Sequence, residues 1–214
     1  MLPPMDDLRD GIGTLLEPGL ADDPVDHARQ VAFIVALLYQ AFERVGMDCV
    51  LIGGCAIELY APGIFKSGDI DLIIDPGGKR DGMRDRIGQV FEMLEFKPRG
   101  RHWVRDDLFV EVPAHSVDDP TDYVKVGSFV LRAIAKEALL VYRLVGFKHW
   151  KHTAYGQQAV DMLAAFGDDL RMDLLNTTMK REAVTDAFEA LRDLANSSQL
   201  VTEDTLQSVL GRLQ

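Results

Sequence analysis

Two aspartates, Asp69 and Asp71, stand one residue apart in the run FKSGDIDLIID, residues 65–75. Alternate side chains of a strand share a face, so Asp69, Asp71 and Ile73 fall on one side and Ile70, Leu72 and Ile74 on the other. The second face is core; the first sets paired carboxylates where apolar residues would otherwise pack. A later run, LFVEV, is interrupted in the same way by Glu111, which shares a face with Phe109 opposite Leu108, Val110 and Val112. Same-face carboxylates suit divalent cations: two can bridge a pair of ions roughly 3.5–4 Å apart, and a third completes one coordination shell. Without a cation such a cluster repels itself and raises some of its own pKa values. The competing reading of all three acids is an edge strand with solvated carboxylates.

The elements that must position these groups can be read from the same sequence. Upstream of the aspartates, DCVLIGG (48–54) is a short buried strand ending in Gly53-Gly54, and CAIELYA is a helix opened by those glycines. The pair permits a tight strand–helix turn and lets a backbone with free N–H groups approach a phosphate closely. Ser67 adds a hydroxyl two residues before Asp69, while Glu58 is expected on the exposed side of its helix. Before the strand, a helix runs from Pro24 to Gly46. Asp23 caps it, Pro24 takes the first helical position, Gly46 ends it, and Val31, Ile34, Val35, Leu38 and Phe42 form its buried stripe. Residues 76–78 read as a turn, and 79–95 as a helix with Ile87, Val90, Phe91 and Leu94 on one face. RHWVRDDLFVEVP (101–113) gives two strands joined at Asp106-Asp107, and YVKVGSFVLRAI one further strand or extended segment. Residues 1–22, rich in Pro, Gly and Asp, are expected to be a loosely ordered arm, 23–135 the core, and 136–214 a helical C-terminal region. Strands with helices followed by helices alone predict an α+β fold.

Composition narrows the partners. The chain has 214 residues, 47% hydrophobic and 27% charged, enough for a real core. Its net charge of −11 argues against wrapping duplex DNA. No apolar run approaches the length of a membrane span, and MLPPMDDLRD lacks the features of a secretory signal, so a cytoplasmic protein is expected. Cys49 and Cys55 are then expected as thiols rather than a disulfide. His149 and His152 flank Trp150 three residues apart on one helical face, without the partners a zinc site needs. KPRGRHWVR (97–105) is basic and aromatic, suited to an acidic acceptor such as an RNA end, or merely to balancing nearby acids.

A Gly-Gly turn opening a helix, an Asp-x-Asp strand and a lone acid on a later strand, LIGGCAIELYAPGIFKSGDIDLII followed by FVEV, resembles the nucleotidyltransferase superfamily with the DNA-polymerase-β-like fold over roughly residues 30–165. The resemblance implies a mixed sheet with helices followed by a helical region, and transfer of a nucleoside monophosphate from an NTP to an acceptor hydroxyl with release of pyrophosphate. It implies two Mg2+ or Mn2+ ions held by Asp69, Asp71 and Glu111, with Gly53, Gly54 and Ser67 on the nucleotide. The segment EALLVYRLVGFKHWKHTAYGQQAVDMLAAF (137–166) is similar to that following the core in AbiEii-like toxin nucleotidyltransferases. There a basic residue and an Asp complete the nucleotide pocket, roles that Arg143 or Lys148 and Asp161 would fill. That likeness implies RNA or protein as acceptor and an antitoxin protein as a possible partner. GGCAIELY also resembles the start of aminoglycoside-modifying nucleotidyltransferases, and −11 suits a cationic small-molecule acceptor. A nucleotide-binding module without turnover is a further alternative. A glycosyltransferase using Asp-x-Asp would need a glycine fingerprint that is missing here.

Overall fold

The computed structural model describes residues 2–77, 81–197 and 200–213. The chain divides into two compact units, one up to Ile134 and one from Ala135 onward.

The first unit is a mixed α+β structure. It begins with helix α1 (Met5–Leu16), where a loosely ordered arm was expected. Leu8, Ile12 and Leu16, four residues apart, line one face and are buried. Such an i, i+4 stripe outweighs the local Gly and Pro content. Helix α2 (Pro24–Arg44) starts as anticipated, with the Asp23 carboxylate accepting hydrogen bonds from the Val25 and Asp26 N–H groups. Strand β1 (Asp48–Ile52) leads into α3 (Gly53–Tyr60), then β2 (Ile70–Asp75) and α4 (Met83–Met93), with Ile87, Val90, Phe91 and Leu94 all buried. Gly78, Lys79 and Arg80, which the expected turn and helix also include, lie outside the described residues.

Five short strands follow: β3 (Lys97–Arg99), β4 (His102–Arg105), β5 (Leu108–Glu111), β6 (Thr121–Val126) and β7 (Phe129–Ile134). The segment expected as one strand is thus a hairpin, turned at Gly127-Ser128, with Gly127 at φ 58°. A Gly in the left-handed region is the usual signature of a two-residue hairpin loop. Asp106, at φ 50°, plays the same part between β4 and β5.

The strands form one seven-stranded sheet in the order β3-β4-β5-β2-β1-β7-β6. β1 pairs antiparallel with β2, and β2 pairs parallel with β5. The two acid-bearing strands are therefore neighbours near the middle of the sheet, and neither is an edge. Phe42, Phe91 and Phe96 are fully buried, and Trp103 stacks on Phe91 at 4.9 Å between ring centroids. Cys49 and Cys55 are buried free thiols.

The second unit is helical: α5 (Lys136–Lys148), α6 (Thr153–Phe166), a single 3-10 turn at Gly167–Asp169, α7 (Met172–Glu182), α8 (Thr185–Ala195) and α9 (Glu203–Leu210). Because α5 ends at Lys148 and α6 begins at Thr153, His149 and His152 belong to the connection and not to one helical face. Lys151, at φ 57°, breaks the helix between them. Among the described residues no helix is long and apolar enough to cross a membrane.

Glu137, fully buried in the first turn of α5, organises this unit. Its carboxylate accepts from the Arg171 backbone N–H at 2.7 Å and from Nε at 3.1 Å, and Arg171 Nη2 lies 2.7 Å from Oε2. Burial alone would push its pKa up, but these Arg171 bonds win and hold it below the usual carboxylate range. A depressed carboxyl stabilises the fold at pH above its ordinary value of about 4.3 and loses that contribution as pH falls through the folded value. The stability lost on Arg171→Ala should therefore be fully present at neutral pH and shrink as pH falls below about 4. Melting both proteins between pH 3 and 7 checks this; a pH-independent difference would contradict it.

Candidate active site

Register brings the acids together. In the β2–β5 pair Asp71 stands opposite Glu111 and Ile70 opposite Val110, while Asp69 lies immediately before β2. In the antiparallel β4–β5 pair His102 stands opposite Glu111. One ligand atom each from Asp69, His102 and Glu111 lies within 4.8 Å of the other two. His102 Nε2 is 3.7 Å from Asp69 Oδ2 and 3.6 Å from Glu111 Oε2. All three side chains are partly exposed, and Arg101 Nε approaches Glu111 Oε2 at 3.2 Å from the solvent side. Two hard carboxylate oxygens and an imidazole nitrogen at this spacing fit a divalent cation.

His102 is the member that motif reading missed. A two-residue loop at Asp106-Asp107 pairs Arg105 with Leu108, and counting outward pairs His102 with Glu111. That signal was in the sequence. The diagonal Phe109 ring on β5 packs edge-on to His102 at 5.8 Å between centroids.

Asp71 occupies a different niche. Gly53, at φ 70°, opens α3 directly over the Asp71 carboxylate, and a Cβ there would overlap it. A Cβ at Gly54 would come within 2.5 Å of Ser67 Oγ and 2.7 Å of Phe65 Cε1. The two glycines thus let the helix start settle onto Asp71 and Ser67, where the positive end of the peptide dipoles favours a carboxylate. Gly53→Ala is expected to cost about 1–2 kcal/mol from the left-handed backbone alone and to displace Asp71. Thermal unfolding reads the first effect and metal affinity the second; a variant like the wild type in both would contradict the arrangement.

Behind the site lies a buried polar network. Glu58, expected on the exposed side of α3, is instead buried, at 1% exposure. It can be buried because it is fully engaged: Oε2 is 2.8 Å from His27 Nδ1, and Oε1 accepts from the Ser67 N–H at 2.5 Å. Ser67 Oγ and Cys55 Sγ each donate to the Asp69 carbonyl at 3.0 Å. Burial, reinforced by Glu58, pushes the Cys55 thiol well up, which keeps it a protonated donor. The chain α2–Glu58–Ser67–Asp69 anchors the loop that delivers the first aspartate. It also commits the Ser67 hydroxyl hydrogen to Asp69, so donation to a phosphate requires that bond to be exchanged.

Arg143, Lys148 and Asp161 belong to the helical unit. Arg143 on α5 is buried, its guanidinium 5.5 Å from the Tyr142 ring centroid and 5.2 Å from that of Tyr155. Lys148 Nζ donates to both Asp186 carboxylate oxygens, at 2.8 and 2.9 Å, and to the Ala183 carbonyl at 2.8 Å. Asp161 on α6 accepts from Gln157 Nε2 at 2.9 Å, and burial raises its pKa against that bond.

No protein-family model matches the chain, and no curated protein matches it at a significant level. Among solved structures it is similar to an antigenic nucleotidyltransferase-like protein from Paracoccidioides brasiliensis, with a TM-score of 0.54 and 15% identity over 79% of this chain and 94% of that one. The antibiotic-resistance factor ANT(2'')-Ia gives a TM-score of 0.44 and 16% identity over 77% and 90% of the two chains. At such identity the first likeness establishes the fold: a nucleotidyltransferase-like mixed sheet with helices.

Proposed function

We propose that this protein is a metal-dependent nucleotidyltransferase that moves a nucleoside monophosphate from an NTP to an acceptor hydroxyl, releasing pyrophosphate. The observation that carries the reading is the register of Asp71 opposite Glu111 on parallel central strands, with Asp69 beside them and the Gly53-Gly54 helix start seated on Asp71. Asp69, Asp71 and Glu111 would hold the cations, Mg2+ or Mn2+ in the two-ion form of the chemistry. When bound, such ions lower the pKa of the attacking hydroxyl and neutralise the departing pyrophosphate. The chain's own contribution is placement. Asp69 and Asp71 would orient the triphosphate through its cation, Glu111 would receive the acceptor's proton, and the α3 start would offer N–H groups to phosphate oxygens.

The proposal extends to Gly53, Gly54, Ser67, Arg143, Lys148 and Asp161 as nucleotide contacts. Of the two basic residues, Lys148 would have to exchange Asp186 for a phosphate, whereas Arg143 is already partly desolvated against two aromatic faces. As acceptor we propose RNA or protein, as in a toxin-like enzyme with an antitoxin partner. A cationic small molecule of the aminoglycoside kind is the second reading, favoured by the net charge of −11. Incubating the protein with each labelled NTP, a divalent cation and whole-cell lysate, or an aminoglycoside panel, tests the reading. Label is expected in one acceptor class, with pyrophosphate released in equal amount. NTP that stays bound without turnover would point to a binding module.

A further inference from the structure

We propose that His102 turns the Asp69–Glu111 side of the site into a mixed nitrogen–oxygen centre that takes a first-row transition cation of the Zn2+ or Co2+ kind in preference to Mg2+. The inference deepens the nucleotidyltransferase reading by naming the class of one of its metals, and rests on that reading only for the catalytic use of the ion.

Three observations carry it. The donor set is two carboxylate oxygens and one imidazole nitrogen, drawn from three separate backbone segments that the sheet register forces together. Imidazole suits Zn2+ and its transition-metal neighbours, whereas Mg2+ takes oxygen ligands and keeps much of its water.

The spacing agrees. His102 Nε2 lies 3.7 Å from Asp69 Oδ2 and 3.6 Å from Glu111 Oε2, too far for hydrogen bonds. Ligand atoms about 2.0–2.1 Å from a tetrahedral ion sit about 3.3–3.4 Å from each other, so both His102 distances need contract by only a few tenths of an ångström, with the fourth position left to water or substrate. An octahedral Mg2+ at the same bond length holds adjacent ligands about 2.9 Å apart, demanding a larger collapse from strand-borne side chains.

The imidazole is also held in place. His102 is placed on β4 by its pairing with β5, and its ring packs against the Phe109 edge. Arg101, whose side chain is 71% exposed, reaches Glu111 Oε2 at 3.2 Å from the solvent side and leaves the face towards His102 and Asp69 to a cation.

The test is titration of the purified full chain with Co2+, followed by visible absorbance, beside calorimetry with Zn2+, Co2+ and Mg2+. Wild type, His102→Ala and His102→Gln are compared, the second variant retaining a polar side chain on the strand. Wild type should bind Zn2+ and Co2+ more tightly than Mg2+ and give the intense bands of four-coordinate Co2+. Both variants should weaken Co2+ by at least 10–100-fold, the scale of losses around metal sites, and move Mg2+ by less than about threefold. Unchanged Co2+ affinity in the two variants, or Mg2+ binding as tight as Co2+ in the wild type, overturns the proposal. Its fate is separable from that of the transferase reading. Co2+ held through His102 in a protein that labels no acceptor upholds the metal class and removes the activity. Mg2+-driven transfer in a protein whose Co2+ binding ignores His102 does the reverse.

Discussion

Glu111→Gln is expected to cut nucleotidyl transfer by about 10²-fold or more while leaving NTP affinity nearly intact. Glu111 ends β5 opposite Asp71, beside His102 and Asp69, and in the proposed reaction it takes the acceptor's proton. Asp69 and Asp71 are unaltered in this variant, so the residues proposed to anchor the metal–nucleotide complex remain. The amide preserves shape but loses both the charge and the proton-accepting capacity. A solvated surface glutamate would instead give a stability change within about 0.5 kcal/mol and no change in rate. Calorimetric NTP binding measured beside pyrophosphate release separates the two cases. Equal release from both proteins would remove Glu111 from the site.

Glu58→Ala is expected to be strongly destabilising, by about 2–5 kcal/mol, because it leaves two buried hydrogen-bonding groups, the His27 imidazole and the Ser67 N–H, without their partner. His27 and Glu58 are only 3% and 1% exposed, and the Ser67 N–H loses its acceptor at the same time. For a chain of this size that loss corresponds to a fall in Tm on the order of 10 °C. Glu58→Gln keeps an acceptor for Ser67 and should lose less. Because Ser67 steadies the Asp69 carbonyl, the Ala variant should also bind metal more weakly at temperatures where it is still folded. Denaturant unfolding of the two variants decides the matter; a loss under about 1 kcal/mol for Glu58→Ala would mean the pair is not a structural anchor.

What was legible in the sequence divides along physical lines. Helix α2 announced both its ends because capping is local chemistry: Asp23, Pro24 and Gly46 act within one turn. The acid-bearing strands were legible because carboxylates interrupt apolar alternation. Less legible was anything decided by tertiary partners. Glu58 read as solvent-exposed because its only nearby cue is helical position; what buries it is a histidine 31 residues away in sequence. Leu8, Ile12 and Leu16 were hidden by the surrounding Gly and Pro, although their fourfold spacing is enough once α2 offers a surface. His102 fell between these cases: its place opposite Glu111 follows from the two-residue loop, but only if the register is counted. The β6–β7 turn rests on Gly127 alone, a left-handed residue followed by Ser, which is too slight a cue to tell a hairpin from one extended run.

Pyrophosphate release and acceptor labelling by the wild type, set against Asp71→Asn under the same conditions, test the proposed activity most directly. Asp71 is the residue on which the sheet register and the Gly53 helix start converge. The expected result is divalent-cation-dependent release, with label in one acceptor class, that falls by about 10²-fold or more in the variant while the two proteins have similar Tm. Release at the same rate from Asp71→Asn, or turnover that persists when every divalent cation is chelated, would contradict it.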